Sequence, residues 1–380
     1  MKLIENIQAK NVKPDKSAAM YYKTEPFFSD ISRYVHTNNW EIYRAIEILT
    51  SMQFSVDLID RGCHDWQPKK EYDLFLGLGV GNSGKNFANY SSLSKAKKRV
   101  LLSMGPQPDV SNSLVLKRYE MFNNRTGNIA PPMRTVELVT GENFNKIIEN
   151  TDYIFNIGEN NSCSYKSFLN YKKPVLNFYP GISPSVTFNA DWLKTRDTNS
   201  FLCFAGNGFI CKGVDLLVEA FLNMPNKNLH ICGPSSEGAF FNYYNSKIEN
   251  SNNIHYHGFI KPGSDLFNSL SSKCAYVIFH SAAEGCCTSV ATAMKAGLVP
   301  IINPWTGIVI EDNVNGMLMS EEGNLIKVIE EKVNYAANIT NKEYSSLVEN
   351  NNKHSELFSQ DSFTKSYADA LNQVFEGSLF

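Results

Sequence analysis

Residues 201–319 carry the pattern that most restricts what this chain can fold into. The first piece is Phe204-Ala-Gly-Asn-Gly-Phe-Ile-Cys-Lys212-Gly-Val-Asp215. The second is Leu229-His-Ile-Cys-Gly233. The third is His280-Ser-Ala-Ala-Glu284-Gly-Cys-Cys-Thr-Ser289, which runs on into Ala293-Met-Lys-Ala-Gly297. Each is an apolar strand that ends in a glycine-rich loop, and after the first and third a helix begins. Proteins of the α/β class build phosphate and nucleotide sites in this way, at the carboxyl ends of parallel strands, where helix N-termini present N–H groups. Lys212 in the first loop and Glu284 in the third are expected to face one cleft. The pattern points to a chain that holds a nucleotide diphosphate and acts on what is attached to it.

The alternation extends on both sides. Residues 41–53 have helical apolar spacing, and strands are expected at 54–60, 72–77, 99–103, 152–156 and 174–178. A second set of strands is expected near 201–205, 228–232, 254–257, 275–279 and 298–302. Strands alternating with helices predict parallel, doubly wound sheets. Tyr179-Pro-Gly-Ile-Ser-Pro184 is rich in turn residues and reads as a crossing between domains. The expected organisation is a first domain over 1–184, a second over 185–355, and a helical tail over 356–380 that returns to the first, its apolar face formed by Phe363, Tyr367, Leu371 and Phe375. Residues 107–145 give no clear pattern; helices around a long loop holding Asn123–Gly127 and Pro131-Pro132 are expected there.

Composition narrows the partners. A net charge of −2 gives no global field that points to nucleic acid. No run of about 18 apolar residues spans a bilayer, and the N-terminus lacks a signal-peptide core, so a cytoplasmic protein is expected. The eight cysteines include no Cys-x-x-Cys pair; Cys203, Cys211, Cys232 and Cys274 read as buried thiols in a reducing compartment. In the vicinal pair Cys286-Cys287 the requirement is for small side chains beside a ligand, rather than for redox or metal chemistry. The basic run Lys95–Arg99 reads as cations at a helix C-terminus, with a peripheral membrane contact as the functional alternative.

Taken in order, these landmarks resemble the retaining group 1 glycosyltransferases, family 4, of the GT-B fold. Gly206, Lys212, Gly213 and Asp215 match the first family turn, and Leu229–Gly233 matches its Leu-x-Ile-x-Gly strand end. Ile254-His-Tyr-His-Gly258-Phe259 resembles the next loop, His280–Gly285 with Ala293–Gly297 the glutamate signature, and Asn315-Gly316-Met317-Leu318 the closing turn. The resemblance is clear over 174–320 and faint before that. It implies two Rossmann-like domains facing a central cleft. Two positions depart from the family: its phosphate-binding arginine falls at Asn207, and the second glutamate of its Glu-x7-Glu motif falls at Thr292. The chain more closely resembles a divergent branch of the superfamily that pairs a Gly/Ser-rich first loop with a small-residue Glu-Gly loop.

Each residue then has an expected task. Lys212 would neutralise a diphosphate leaving group as the glycosidic bond breaks, without a metal; the chain has no Asp-x-Asp. Gly206 and Gly208 would let the backbone approach phosphate around Asn207. Glu284 would accept hydrogen bonds from sugar hydroxyls, while Gly285, Thr288 and Ser289 supply donors to phosphate oxygens and Thr292 reaches a ribose hydroxyl or fills the core. Gly233, Gly258, Phe259 and Ile260 would frame the base. Acceptor candidates in the first domain are His36 and the loop beginning at Gly79. That loop, Gly79 to Gly84-Lys85-Asn86, nearly matches a P-loop, but Asn86 cannot supply the magnesium-binding hydroxyl.

The expected function is a glycosyltransferase that moves a sugar from a nucleotide-diphosphate sugar to a glycan or lipid-linked acceptor, with retention and with no metal or other cofactor. The rival is a catalytically silent nucleotide- or sugar-binding subunit, for which Asn207 and Thr292 speak. A third reading keeps the fold and changes the reaction to epimerisation or phosphorolysis. Donor sugar, base, acceptor and oligomeric state are not legible.

Overall fold

The structure is a computed structural model and describes residues 3–28, 37–79, 86–132 and 140–376. The chain divides into two compact units. The first comprises Met1–Asn112, Thr135–Gly181 and Gln360–Phe380; the second comprises Ser113–Arg134 and Ile182–Ser359. Among the described residues no helix is long and apolar enough to cross a membrane.

The first unit is built on a seven-stranded sheet: β1 Leu3–Ile7, β2 Lys16–Tyr22, β3 Phe54–Asp60, β4 Leu74–Leu78, β5 Lys98–Ser103, β6 Tyr153–Ile157 and β7 Val175–Phe178. Their spatial order is β1-β3-β2-β4-β5-β6-β7. β1 runs antiparallel to β3, and all other pairs are parallel. The five strands expected here are present. β1 and β2 are additions, and β2 is the interior strand from which the order runs both ways. Ala18–Tyr22 are buried, as both faces of a parallel sheet are covered by helices. The helix Gln360–Phe375 lies in this unit. Its Tyr367 ring sits 5.3 Å from Phe178 and 5.7 Å from Phe155, and Phe363 packs on Phe178 at 5.9 Å.

The second unit carries β8 Asp197–Phe204, β9 Asn228–Cys232, β10 Ile254–Tyr256, β11 Cys274–Phe279, β12 Val299–Ile302 and β13 Met317–Leu318. All pairs are parallel, in the order β10-β9-β8-β11-β12-β13. The chain winds from β8 outward through β9 and β10, then returns to the other side of β8 for β11, β12 and β13. The direction of winding therefore reverses between β8 and β11. In an open parallel sheet that reversal opens a crevice at the strands' carboxyl ends, where ligands bind.

Where a long loop around Asn123–Gly127 is expected, the structure has the helix Pro108–Thr126. The Asn-rich segment is its last turn. Gly127 ends it with φ +69° and donates its N–H to the Asn123 carbonyl at 2.9 Å, the conformation that a glycine supplies cheaply at a helix end. Its first residues fall in the first unit and the rest in the second.

Candidate functional site

Both chemically expected loops flank the crevice between β8 and β11. After β8 the chain turns through Ala205-Gly206-Asn207-Gly208. Gly208 takes φ +90°, and its carbonyl accepts the Lys212 N–H at 3.1 Å. This folds the loop back so that Lys212 precedes the helix Val214–Leu222. Gly213, at φ +73°, lies against the neighbouring strand: a Cβ there would sit 2.3 Å from the His280 carbonyl oxygen. Only glycine fits both the backbone and the space.

After β11 the chain runs His280-Ser281-Ala282-Ala283-Glu284-Gly285 into the helix Thr288–Lys295. The two loops are tied directly, with Ala282 N–H donating to the Cys211 carbonyl at 2.8 Å. From the other side, Glu284 N–H donates to the Trp305 carbonyl at 2.9 Å and Cys287 N–H to the Thr306 carbonyl at 2.8 Å. Gly307 lets this support approach, since a Cβ there would lie 2.1 Å from the Gly285 oxygen. Glu284 is thus carried on a loop braced on both flanks.

The bracing brings Lys212 and Glu284 together. The Lys212 ammonium donates to Glu284 Oε1 in an ion pair whose side chains are 4% and 13% exposed. The ammonium also lies 5.4 Å from the centre of the Phe279 ring. A cation this buried needs a counter-charge, and Glu284 supplies one. A Cβ on Gly206 would be 3.7 Å from Lys212 Cε, in ordinary van der Waals contact, so a methyl there fits against the lysine without a clash. Cys286 and Cys287 are both buried thiols, neither in a disulfide. Burial and then the Glu284 charge push Cys287 up to about 11, which keeps it a neutral, unreactive thiol.

The remaining expected residues divide by surroundings. Gly233 adopts φ +144° with no room for a Cβ, which would meet the Ala205 oxygen at 2.0 Å. Its N–H donates to the Gly258 carbonyl at 2.7 Å and its carbonyl accepts from the Tyr256 hydroxyl at 3.1 Å. Phe259 is 57% exposed while Ile260 is buried. Asn207 is exposed and its Oδ1 accepts the Gly208 N–H at 3.0 Å. Thr288 and Ser289 are half-buried at the start of their helix. Thr292 is buried, and its hydroxyl donates to the Thr288 carbonyl at 2.6 Å. In the first unit, Gly79 is packed tightly: a Cβ would lie 1.8 Å from Leu101 Cδ1. A larger residue there would have to displace the Leu101 side chain. His36 and the stretch Val80–Lys85 lie outside the described residues.

Other supporting residues carry no signal in the sequence. Arg118 donates from Nη1 to the His280 carbonyl at 2.7 Å, and its Nη2 lies 3.0 Å from His280 Nδ1. Glu237 is buried at 3% exposure, accepts the Ile210 N–H at 3.0 Å and is bonded by the Tyr119 hydroxyl. Asn303 donates to the Ser281 carbonyl at 2.7 Å and to Glu321.

Residues 188–354 match the family described as glycosyl transferases group 1. That match lies within the second unit. Solved structures match almost the whole chain. Anabaena HepE in complex with UDP and glucose superposes with a TM-score of 0.60 at 14% identity, covering 94% of this chain and 99% of that one. A glycosyltransferase from Rickettsia africae gives 0.60 at 12% identity, covering 96% and 100%. The pneumococcal O-GlcNAc transferase GtfA in complex with UDP and GlcNAc gives 0.51 at 13% identity, covering 80% and 57%. No curated protein matches the chain by sequence. The fold is GT-B, with two Rossmann-like units, and the segment that matches the group 1 family contains every residue expected at the donor site.

Proposed function

We propose that this chain is a glycosyltransferase that takes a sugar from a nucleotide-diphosphate sugar. The observation that carries this reading is the convergence of Lys212 and Glu284 at the winding reversal of the second unit. Lys212 meets the diphosphate and offsets the charge that grows as the glycosidic bond breaks. Gly206, Gly208 and Gly285 let backbone N–H groups reach phosphate oxygens, with the Thr288 and Ser289 donors at a helix N-terminus beside them. Glu284 accepts hydroxyls of the donor sugar. Gly233, Phe259 and Ile260 border the base, and the exposed Phe259 ring offers it a face. Transfer proceeds with retention and needs no metal, since the lysine does the metal's electrostatic work. The acceptor is a glycan or a lipid-linked glycan. UDP is the nucleotide to try first, because Anabaena HepE and pneumococcal GtfA were both solved with it.

The test is a calorimetric titration with UDP, GDP and ADP, each with and without EDTA, followed by sugar transfer or release from the matching nucleotide sugars. Binding that survives chelation and a measurable turnover are expected. Loss of binding on chelation removes the metal-free mechanism.

One observation favours a second reading, a silent binding subunit. Thr292, where the family places its second glutamate, is buried and bonds its own helix. Nucleotide binding with no transfer or hydrolysis from any donor would decide for it.

A further inference from the structure

We infer that Arg118 and Tyr119, adjacent residues on the helix Pro108–Thr126, are positioning residues that set the two donor-site loops of the second unit. This rests on the reading of Lys212 and Glu284 given above. Neither residue belongs to the sequence pattern that marks the site, and neither acts on a donor directly. Each acts through another group.

Arg118 sets the Glu284 loop. It is 4% exposed, and its guanidinium grips one residue by two points: the His280 carbonyl at 2.7 Å and His280 Nδ1 at 3.0 Å. A planar guanidinium with two fixed contacts defines orientation as well as position. His280 ends β11, and the chain continues directly to Glu284. With Nδ1 accepting from the arginine, the ring proton sits on Nε2, which faces Glu321 Oε1 at 3.7 Å. Burial, then the Arg118 charge, hold His280 down to about 3, so the ring stays neutral and keeps that acceptor. Gly213 of the other loop also lies against this contact, since a Cβ there would fall 2.8 Å from Arg118 Nη1.

Tyr119 sets the Lys212 loop. Its hydroxyl donates to Glu237 Oε1, and the other oxygen of that carboxylate accepts the Ile210 N–H at 3.0 Å. Ile210 lies two residues before Lys212. A buried carboxylate shared between a phenol and a loop amide fixes that amide. Loss of either donor leaves the other bond to hold a buried charge alone. Adjacent residues of one helix therefore hold the loop that carries the cation and the loop that carries the carboxylate.

The test compares Tyr119→Phe, Arg118→Lys and Arg118→Met with a matched control, Arg196→Met. Arg196 also spends its guanidinium on carbonyls of the second unit, Ala296 at 2.6 Å and Ser271 at 3.1 Å, but these lie away from both loops. Calorimetric titration with UDP is expected to show binding weakened roughly tenfold in Tyr119→Phe, by the loss of about one charge-assisted hydrogen bond, and more in Arg118→Met. Arg118→Lys should restore part of the loss. Arg196→Met should lower the melting temperature yet bind UDP like the unmodified chain. Should Arg118→Met not fold, Tyr119→Phe and Arg118→Lys decide. Unchanged UDP affinity in both, or an equal loss in Arg196→Met, overturns the proposal. Hydrogen exchange gives a readout that needs no nucleotide: the amides of Ile210, Ala282 and Glu284 should exchange faster in the Tyr119 and Arg118 variants and not in the control. If the unmodified chain binds neither UDP, GDP nor ADP, the donor-site reading fails, and exchange still decides whether this helix sets the loops.

Discussion

Lys212 and Glu284 form an ion pair inside the second unit, reaching across from the loop after β8 to the loop after β11. Within the pair each side chain offsets the other's charge. On the proposed function, a donor diphosphate brings more negative charge than one carboxylate and meets the same ammonium. Its phosphates would then compete with Glu284 for Lys212 and turn the carboxylate to the sugar hydroxyls. That reading makes donor entry and the readying of Glu284 one event.

Glu284→Gln separates the two roles. It removes the counter-charge of a buried ammonium, so the melting temperature should fall, with a stability loss on the order of 2 kcal/mol. UDP then meets a lysine with no competing carboxylate, and its affinity should be equal or higher, while sugar transfer drops at least a hundredfold. Calorimetry and a transfer assay read the two separately. A variant that binds UDP more weakly would show that phosphate and Glu284 do not compete. Lys212→Ala should lose roughly 1.5–3 kcal/mol of UDP binding, as for a charged hydrogen bond.

Two glycines in one loop should respond in opposite ways to alanine. Gly213 has φ +73° and a Cβ position 2.3 Å from a backbone oxygen; Gly213→Ala should cost about 2–4 kcal/mol through strain and displacement of that strand end. At Gly206 the nearest atom to a Cβ is 3.7 Å away. Gly206→Ala should leave stability within about 0.5 kcal/mol and weaken UDP binding, because the methyl occupies the space beside Lys212. Urea melts and UDP titrations of the pair check both halves. A Gly206→Ala chain that binds UDP normally would remove that glycine from the phosphate site.

The strands of the second unit are legible because they are apolar runs, several of them closed by glycine-rich loops, and Lys212 and Glu284 stand in the loops after β8 and β11. The strands from Phe54 onward were readable for the same reason. β2 was not: Lys-Ser-Ala-Ala-Met-Tyr-Tyr has no β-branched residue, no alternation, and no glycine loop behind it. The helix Pro108–Thr126 was hidden by its polar, Asn-rich composition, although a guanidinium and a phenol on it hold both loops. Those contacts join residues 162 and 118 positions apart. Separations of that size are set by the order of strands in the sheet, which no local pattern records. Thr292 could be read either way in advance, and only its bond to Thr288 shows where its hydroxyl is spent.

The basic run Lys95–Arg99 is partly committed. Lys97 pairs with Asp73 at 2.7 Å and Arg99 with Asp152 at 2.8 Å. Lys95 and Lys98 line a surface groove with Lys172 and Lys173. Four cations so placed should draw an anionic bilayer at about 1 kcal/mol each. The chain should therefore sediment with phosphatidylglycerol vesicles at low salt, not at high salt and not with phosphatidylcholine. Reversal of these four lysines to glutamate should abolish it. Unaltered sedimentation in that variant would place the membrane contact elsewhere or nowhere.

Glu41 gives the first unit a pH dependence of opposite sign to ordinary acid denaturation. It is 4% exposed on the helix Thr37–Ser51. One oxygen accepts the Gly181 N–H at 3.0 Å, and the other has no hydrogen-bond partner among the described residues. Burial pushes the carboxyl up to about 7, against the pull of that bond and of the Lys23 charge. A group whose pKa is raised by folding stabilises fully below its unfolded value, near 4.5. That contribution is lost as pH rises toward 7, at about 1.4 kcal/mol per pH unit within the window. Glu41→Gln keeps the acceptor for Gly181 and cannot ionise. The variant should match the unmodified chain at pH 5 and exceed it at pH 8 in urea melts that follow the first unit, with the difference growing across the interval. A variant less stable at pH 8 would mean that Glu41 is held as a carboxylate by a partner stronger than the Gly181 amide.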